Sequence, residues 1–272
     1  MMDKNVLRVA VGQFPASNDI ETNKQYIQQL VEQSAAQSVE LLVLPEAAMC
    51  SFASDLPVLQ TLAYQHTPTF IQFIQTLAKQ YQLFIVVGVI SPSEYSDEPR
   101  VQNQLVVINP QGEIIVRYNK IHVYDAFKFK ESDKVKPADI KADGSMLGIF
   151  KIKDFTIGLI NCYDLRFPEL ARALIDKGVN VLSVSANWIA GSAKEMHWET
   201  LLKARAIENT AYVLASGQTP TKGIGNSMII DPMGVILAGC GTEIGVQVQT
   251  LSLERLNTVR TLLPCLVNRR LF

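Results

Sequence analysis

Phe155-Thr156-Ile157-Gly158-Leu159-Ile160-Asn161-Cys162-Tyr163-Asp164-Leu165-Arg166-Phe167-Pro168-Glu169-Leu170 is the stretch on which the reading of this chain turns. Phe155 to Asn161 is a short, nearly continuous apolar run, the pattern of a strand buried on both faces. Pro168 suits the first position of a helix and Gly178 its stop, bracketing Glu169 to Lys177. Cys162 therefore sits where the carboxyl end of a strand runs toward a helix. Exposed N–H groups and partial positive charge at such a place favour a thiolate, so the position predicts a nucleophile. Free cysteine is also among the residue types most often buried for packing alone, so the assignment needs support from elsewhere.

Two further segments supply it. Leu41-Leu42-Val43-Leu44-Pro45-Glu46 is an apolar run ending in a carboxylate, and Ile114-Ile115-Val116-Arg117-Tyr118-Asn119-Lys120 is a strand-like run ending in an amine. In an open α/β sheet, ligands bind outside the carboxyl ends of the strands. Three strands would thus deliver a thiol, a carboxylate and an ammonium to one edge. A thiol is weakly ionised at neutral pH, so Glu46 is the candidate base that takes its proton. Lys120, with the backbone N–H of Tyr163, is the candidate stabiliser of an oxyanion. The plainer alternative is a structural ion pair between Glu46 and Lys120.

With these three groups, the segments Leu44-Pro45-Glu46, Tyr118-Asn119-Lys120-Ile121-His122, Glu131-Ser132, Asn161 to Leu170 and Ala204-Arg205-Ala206-Ile207-Glu208-Asn209 resemble the nitrilase superfamily of carbon-nitrogen hydrolases. The resemblance runs along nearly the whole chain. It implies a single α/β domain over residues 1–272, an αββα sandwich of two mixed sheets flanked by helices. It further implies a catalytic triad of Glu46, Lys120 and Cys162, with Glu131 orienting the lysine and the substrate. No cofactor is implied, and a homodimer or higher homo-oligomer is. Lys120 to Phe127, Lys194-Glu195-Met196-His197-Trp198 and Leu263 to Arg270 are similar to one subgroup, the bacterial deaminated glutathione amidases. The stretch between Lys120 and Glu131 is shorter than in the ω-amidases, which favours that subgroup. Two competing readings stay open: an ω-amidase, nitrile or carbamoyl hydrolase, and, from another class, a catalytically silent interaction module.

Specificity is expected from the loops at the strand ends. Trp188 and Lys194 to Trp198 are candidates for one wall, Tyr124 to Lys130 for another. Tyr124, Lys128, Tyr163, Trp188, Lys194 and His197 are the candidate substrate-binding residues. Lys128, Lys194, His197 and Arg205 are the basic groups suited to a carboxylate. Arg205 also has Glu208 or Glu169 as structural partners, and Lys128 could simply be solvated.

Composition agrees with a compact enzyme, for which the resemblance implies a small-molecule amide as substrate. The chain has 272 residues, 48% hydrophobic and 19% charged, with a net charge of −1, which gives no reason to expect nucleic acid or an anionic membrane as partner. Met1 to Gly12 lacks an export signal and no window approaches a membrane span. Cys50, Cys162, Cys240 and Cys265 form neither a CxxC pair nor a disulfide-dense pattern, which points to the cytoplasm. His66, His122 and His197 have no metal-ligand spacing. Strands are expected at Val6 to Gln13, Leu41 to Leu44, Leu83 to Ile90 and Asn180 to Ser185. A helix capped by Asn18 or Asp19 should run to about Ser34, and another over Thr69 to Tyr81. Finally, Val107 to Ile114 and Ile229 to Ile236 both read strand, Asx-Pro-x-Gly turn, strand, suggesting two related halves that each contribute a sheet.

Overall fold

The structure, a computed structural model, describes residues 4–271. Met1 to Asp3, part of the amino-terminal stretch read above, and Phe272 lie outside the described residues. The first half runs β1 (Val6–Gln13), α1 (Ile20–Ala35), β2 (Leu41–Val43), α2 (Leu56–Thr61), α3 (Thr67–Tyr81), β3 (Phe84–Ser91), β4 (Gln102–Ile108) and β5 (Ile114–Asn119). A small hairpin, β6 (Asp125–Ala126) and β7 (Phe129–Lys130), joins it to the second half. That half runs β8 (Ile149–Ile152), β9 (Phe155–Asn161), α4 (Pro168–Asp176), β10 (Val181–Ala186), α5 (Lys194–Asn209), β11 (Tyr212–Gly217), β12 (Met228–Ile230), β13 (Ile236–Gly239), β14 (Gly245–Ser252) and α6 (Leu253–Leu262).

Two six-stranded sheets result, ordered β14-β1-β2-β3-β4-β5 and β13-β12-β11-β10-β9-β8. In each, three central strands are parallel and an antiparallel hairpin follows on one side: β4–β5 beside β3, and β12–β13 beside β11. The sheets face one another through Leu7, Val9, Val11, Leu41, Val43 and Val107 on one side and Ile157, Leu159, Val181, Leu214 and Ile229 on the other. Helices α1 and α3 cover the outer face of the first sheet, α4 and α5 that of the second. Both faces of the central strands are covered, which is why they read as unbroken apolar runs. This is the αββα sandwich of two mixed sheets that the sequence predicts.

The two hairpins echo each other in detail. Asn109 Oδ1 accepts from the N–H groups of Gln111 and Glu113, and Asp231 Oδ1 from those of Met233 and Val235. Gly112 and Gly234 take φ of 79° and 82°, a conformation open to glycine because it lacks a Cβ. A register shift follows at Val107/Ile108 and again at Ile229/Ile230.

The first half differs from expectation in one place. The helix expected from Thr69 begins at Thr67 and continues, through a π-turn at Leu62–His66, from α2. Pro57 and Pro68 each occupy a first helical turn, where no N–H is needed. Each proline therefore opens a segment without breaking the run. Asp19 is the residue that caps α1, accepting from Thr22 N–H.

One glycine fixes the exit from β2. The turn at Pro45 to Ala48 lies against β3, with Gly88 N–H donating to Pro45 O and Ala48 N–H to Gly88 O. A Cβ on Gly88 would stand 2.5 Å from Ala47 N and 2.6 Å from Glu46 Cα. Backbone cannot yield to that, so Gly88→Ala is expected to destabilise by about 1–3 kcal/mol. Gly245→Ala, which meets nothing within 4 Å, should stay within about 0.5 kcal/mol. Equal denaturation midpoints for the two variants would refute this.

Candidate active site

Strand direction brings the candidate groups together. Two antiparallel neighbours return β5 to the direction of β2, so Glu46 after β2 and Lys120 after β5 emerge at one edge. Cys162 follows β9 in the facing sheet, and Glu131 opens a short turn after β7. Lys120 Nζ donates to Glu46 Oε1 at 2.8 Å and to Glu131 Oε2 at 2.9 Å. The exposures of Glu46, Lys120 and Glu131 are 2%, 2% and 0%. Around them the donors are complete. Asn103 Nδ2 reaches Glu46 Oε1 at 2.8 Å and Glu131 Oε1 at 3.1 Å. Asn187 N–H donates to Glu46 Oε2 at 2.8 Å, and Tyr124 N–H to Glu131 Oε2. Asn161 Nδ2 in turn holds Asn103 Oδ1 at 3.0 Å.

Electrostatics set the protons. Burial alone would strip Lys120, but the charges of Glu131 and Glu46 outweigh it and hold its pKa well above the usual lysine range. Burial also works against the Glu46 carboxylate. There the Lys120 ammonium and the Asn187 N–H prevail, leaving its pKa below the ordinary value. Glu131 ends above the ordinary value, because burial and the charge of Glu46 outweigh Lys120. Two acids sharing one ammonium cannot both ionise freely.

The thiol departs from the sequence reading. Cys162 opens a five-residue 3-10 turn, Cys162–Arg166, and α4 begins only at Pro168, so the amino end at the sulfur is that of a short 3-10 turn and not that of α4. Burial, then the facing Glu46 carboxylate, push the Cys162 pKa well above its ordinary value. At rest the pair is a neutral thiol beside an ionised carboxylate. The helix-end effect expected from sequence is outweighed by what packs around the sulfur.

Cys162 has φ of 51°, uncommon and strained for a residue with a Cβ. Asp164 holds the turn in place. Fully buried, its carboxylate accepts from Tyr118 O–H at 2.7 Å, Asn161 N–H at 3.2 Å and His122 N–H at 2.8 Å, with His122 Nδ1 at 2.7 Å. Tyr118 and His122 flank Lys120 along the chain, so Asp164 ties the thiol's turn to the lysine's strand. His122 also stacks on Phe167.

Glu46, Lys120, Glu131 and Cys162 line one cavity of about 610 Å³, together with Tyr124, Tyr163, Trp188 and Lys194. Lys128 and His197, the other two candidate substrate-binding residues, lie outside that lining. Phe127 and Lys128 form the β6–β7 turn, both at positive φ, and this turn leaves Lys128 exposed to solvent. His197 is turned to Arg166 Nη2 at 3.5 Å. Arg205 is buried in structure, bonding Leu165 O and pairing with Glu208. Cys50 and Met49 belong to the core, where burial pushes the Cys50 thiol up to about 12. Phe127 and Phe129 fall in the Tyr124 to Lys130 wall expected from sequence, whereas sequence reasoning missed Phe52, Arg166 and Lys222 in the lining, and Asn103 and Asn187 at the carboxylates. Asn187 had a usable signal, since it stands just past the carboxyl end of β10.

Fold and site together define a hydrolase sandwich with its chemistry at one strand edge. Residues 8–261 match the carbon-nitrogen hydrolase family, and the chain belongs to that family. It is 36% identical to the deaminated glutathione amidase of Escherichia coli O157:H7, covering 96% of this chain and 97% of the relative. A deaminated glutathione amidase of Synechocystis is 33% identical, with 96% and 97% covered. Among solved structures, the carbon-nitrogen hydrolase of Helicobacter pylori superposes with a TM-score of 0.87 at 21% identity, covering 98% of this chain and 96% of that one, a likeness of fold. The Caenorhabditis elegans NitFhit protein gives a TM-score of 0.85 at 27% identity, over 99% of this chain and 66% of that longer one.

Removing the central charge tests this electrostatic account. Lys120→Met leaves two buried carboxylates without a counter-ion, and is expected to destabilise by about 3–5 kcal/mol at neutral pH. Carboxyls whose folded pKa is raised lower stability above that pKa and restore it as pH falls and they bind protons. The penalty, read by denaturation from neutral to acid pH, should therefore shrink on acidification. A penalty independent of pH would contradict the charge assignment.

Proposed function

We propose that the chain is a thiol-dependent amidase that works through a cysteine thioester. The supporting observation is the meeting of Glu46, Lys120, Glu131 and Cys162 on one cavity, with an ionised carboxylate facing a neutral thiol. Glu46 takes the Sγ proton as the sulfur attacks the amide carbonyl carbon. The carbonyl oxygen becomes an oxyanion, met by the Lys120 ammonium and by the N–H of Tyr163. That N–H lies at the start of the short 3-10 turn Cys162–Arg166, where acceptors within the turn are lacking. As the C–N bond breaks, Glu46 passes its proton to the leaving nitrogen, and the acyl group stays on sulfur. Water then attacks the thioester with Glu46 as base, releasing the acid and restoring the thiol. Glu131 holds Lys120 in place throughout.

For substrate, we propose deaminated glutathione, cleaved to 2-oxoglutarate and cysteinylglycine. The names of the E. coli and Synechocystis relatives support this, as does a cavity of about 610 Å³. We further propose a homodimer or higher homo-oligomer. The half-exposed side chains of Ile207, Met233, Val235, Ile236 and Leu237 lie along α5 and the β12–β13 hairpin, and Ile207 packs beside Gly234. Sedimentation should show a species heavier than one chain, and a monomer at micromolar concentration would remove this proposal.

Cys162→Ala is expected to abolish turnover with the fold intact. Glu46→Gln should lower kcat about 10²–10⁴-fold and suppress the thioester trapped by mass spectrometry on the wild-type protein. Full activity in a clean Cys162→Ala preparation would sink the nucleophile.

A further inference from the structure

We propose that Lys194 is the anchor for a carboxylate carried by the substrate, set in place by an aromatic clasp on the β6–β7 hairpin. The inference rests on the amidase reading and adds the feature of the substrate that the cavity selects.

Lys194 is the first residue of α5 and only 7% exposed, yet it lines the cavity. Its Nζ donates to Tyr124 O–H oxygen at 3.0 Å and lies 4.0 Å from the centroid of the Phe127 ring. Its own carbonyl accepts from Trp188 Nε1, which fixes the backbone. Among the described residues no carboxylate pairs with it. An ammonium taken this far from water without a counter-ion is costly. Aromatic faces recover part of that cost and leave donors unused, since an ammonium has three and Tyr124 takes one.

The clasp is built at a cost of its own. Phe127 and Lys128 have φ of 53° and 65°, the two-residue hairpin turn that ordinarily uses Asn-Gly. A phenylalanine there is strained, and 71% of it is exposed, so its packing does not explain the choice. Its position over the Lys194 ammonium does. Charge in the cavity points the same way. Glu46 and Glu131 are engaged by Lys120, while Arg166 and Lys222, like Lys194, have no carboxylate partner among the described residues. The open part of the cavity is therefore cationic. Lys222 donates to Ser51 at the exposed rim and Arg166 stacks on Trp188, which leaves Lys194 as the buried donor.

The carboxylate could belong to the acyl part of the substrate or to the amine it releases. The test compares kcat/KM for glutaramate, with its carboxylate on the acyl part, N-acetylglycine, with it on the amine, and neutral pentanamide. Wild type should prefer one of the two charged amides over pentanamide, and that amide identifies the side. In Lys194→Met the preference ratio is expected to fall about 10- to 100-fold, chiefly through KM. Lys194→Arg should keep most of it. An equal loss on charged and neutral amides, or no change, would overturn the anchor. Glutarate binding to the Cys162→Ala protein, with and without Lys194→Met, reads the site without turnover. Glutarate affinity indifferent to Lys194 also overturns it. A wild type that hydrolyses neither these three amides nor deaminated glutathione sinks the proposed amidase reading, and the glutarate titration then decides the anion site by itself.

Discussion

A single ammonium closed off from water between two carboxylates governs this molecule. Each of the three charges at Glu46, Lys120 and Glu131 would be prohibitively unfavourable alone at their depth, so none can be placed unless the others are. That condition couples three stretches of chain far apart in sequence: the exit of β2, the exit of β5 and the turn after β7. Asn103, reaching from β4 to both carboxylates, closes the remaining lone pairs. Gly88 is part of the same condition, because only a residue without a side chain lets the Glu46 turn press against β3.

The distribution of protons follows from that packing. Lys120 keeps its charge, Glu46 stays ionised, and the Cys162 thiol stays protonated. The proposed nucleophile and base thus rest in the states that the proposed mechanism requires before a carbonyl arrives. Geometry is maintained by a second knot, where buried Asp164 binds residues on either side of Lys120 and the start of the Cys162 turn. Sulfur and ammonium are therefore set relative to each other by a carboxylate that lies outside the cavity lining.

Much of this was legible in the chain. Apolar runs ending in Glu46 and Cys162 announce themselves because strands covered on both faces have no room for polar residues until they emerge, while the run ending in Lys120 is the half-covered edge strand β5. The repeated Asx-Pro-x-Gly turns were equally plain, since each uses its Asn or Asp and its Gly for a specific backbone geometry. Glu131 was reached through family resemblance alone, as nothing local to Glu131-Ser132 distinguishes it. Asn103 was hidden for a physical reason: it lies at the second position of an antiparallel strand, and its importance depends on what approaches across the sheet. The state of the thiol was misjudged because sequence shows a strand end and not the burial beneath it. Lys128 and His197 lie outside the cavity lining through local geometry, the one carried outward by consecutive left-handed residues, the other drawn to Arg166.

The proposed base and nucleophile come from different sheets, Glu46 from the first and Cys162 from the second, and the hairpins of those sheets repeat one plan. Each half is thus a scaffold of the same design holding an incomplete set of reactive groups. Under the proposed mechanism, chemistry arises only where the two layers are pressed together. Competence for reaction and completion of folding are, under that proposal, a single event.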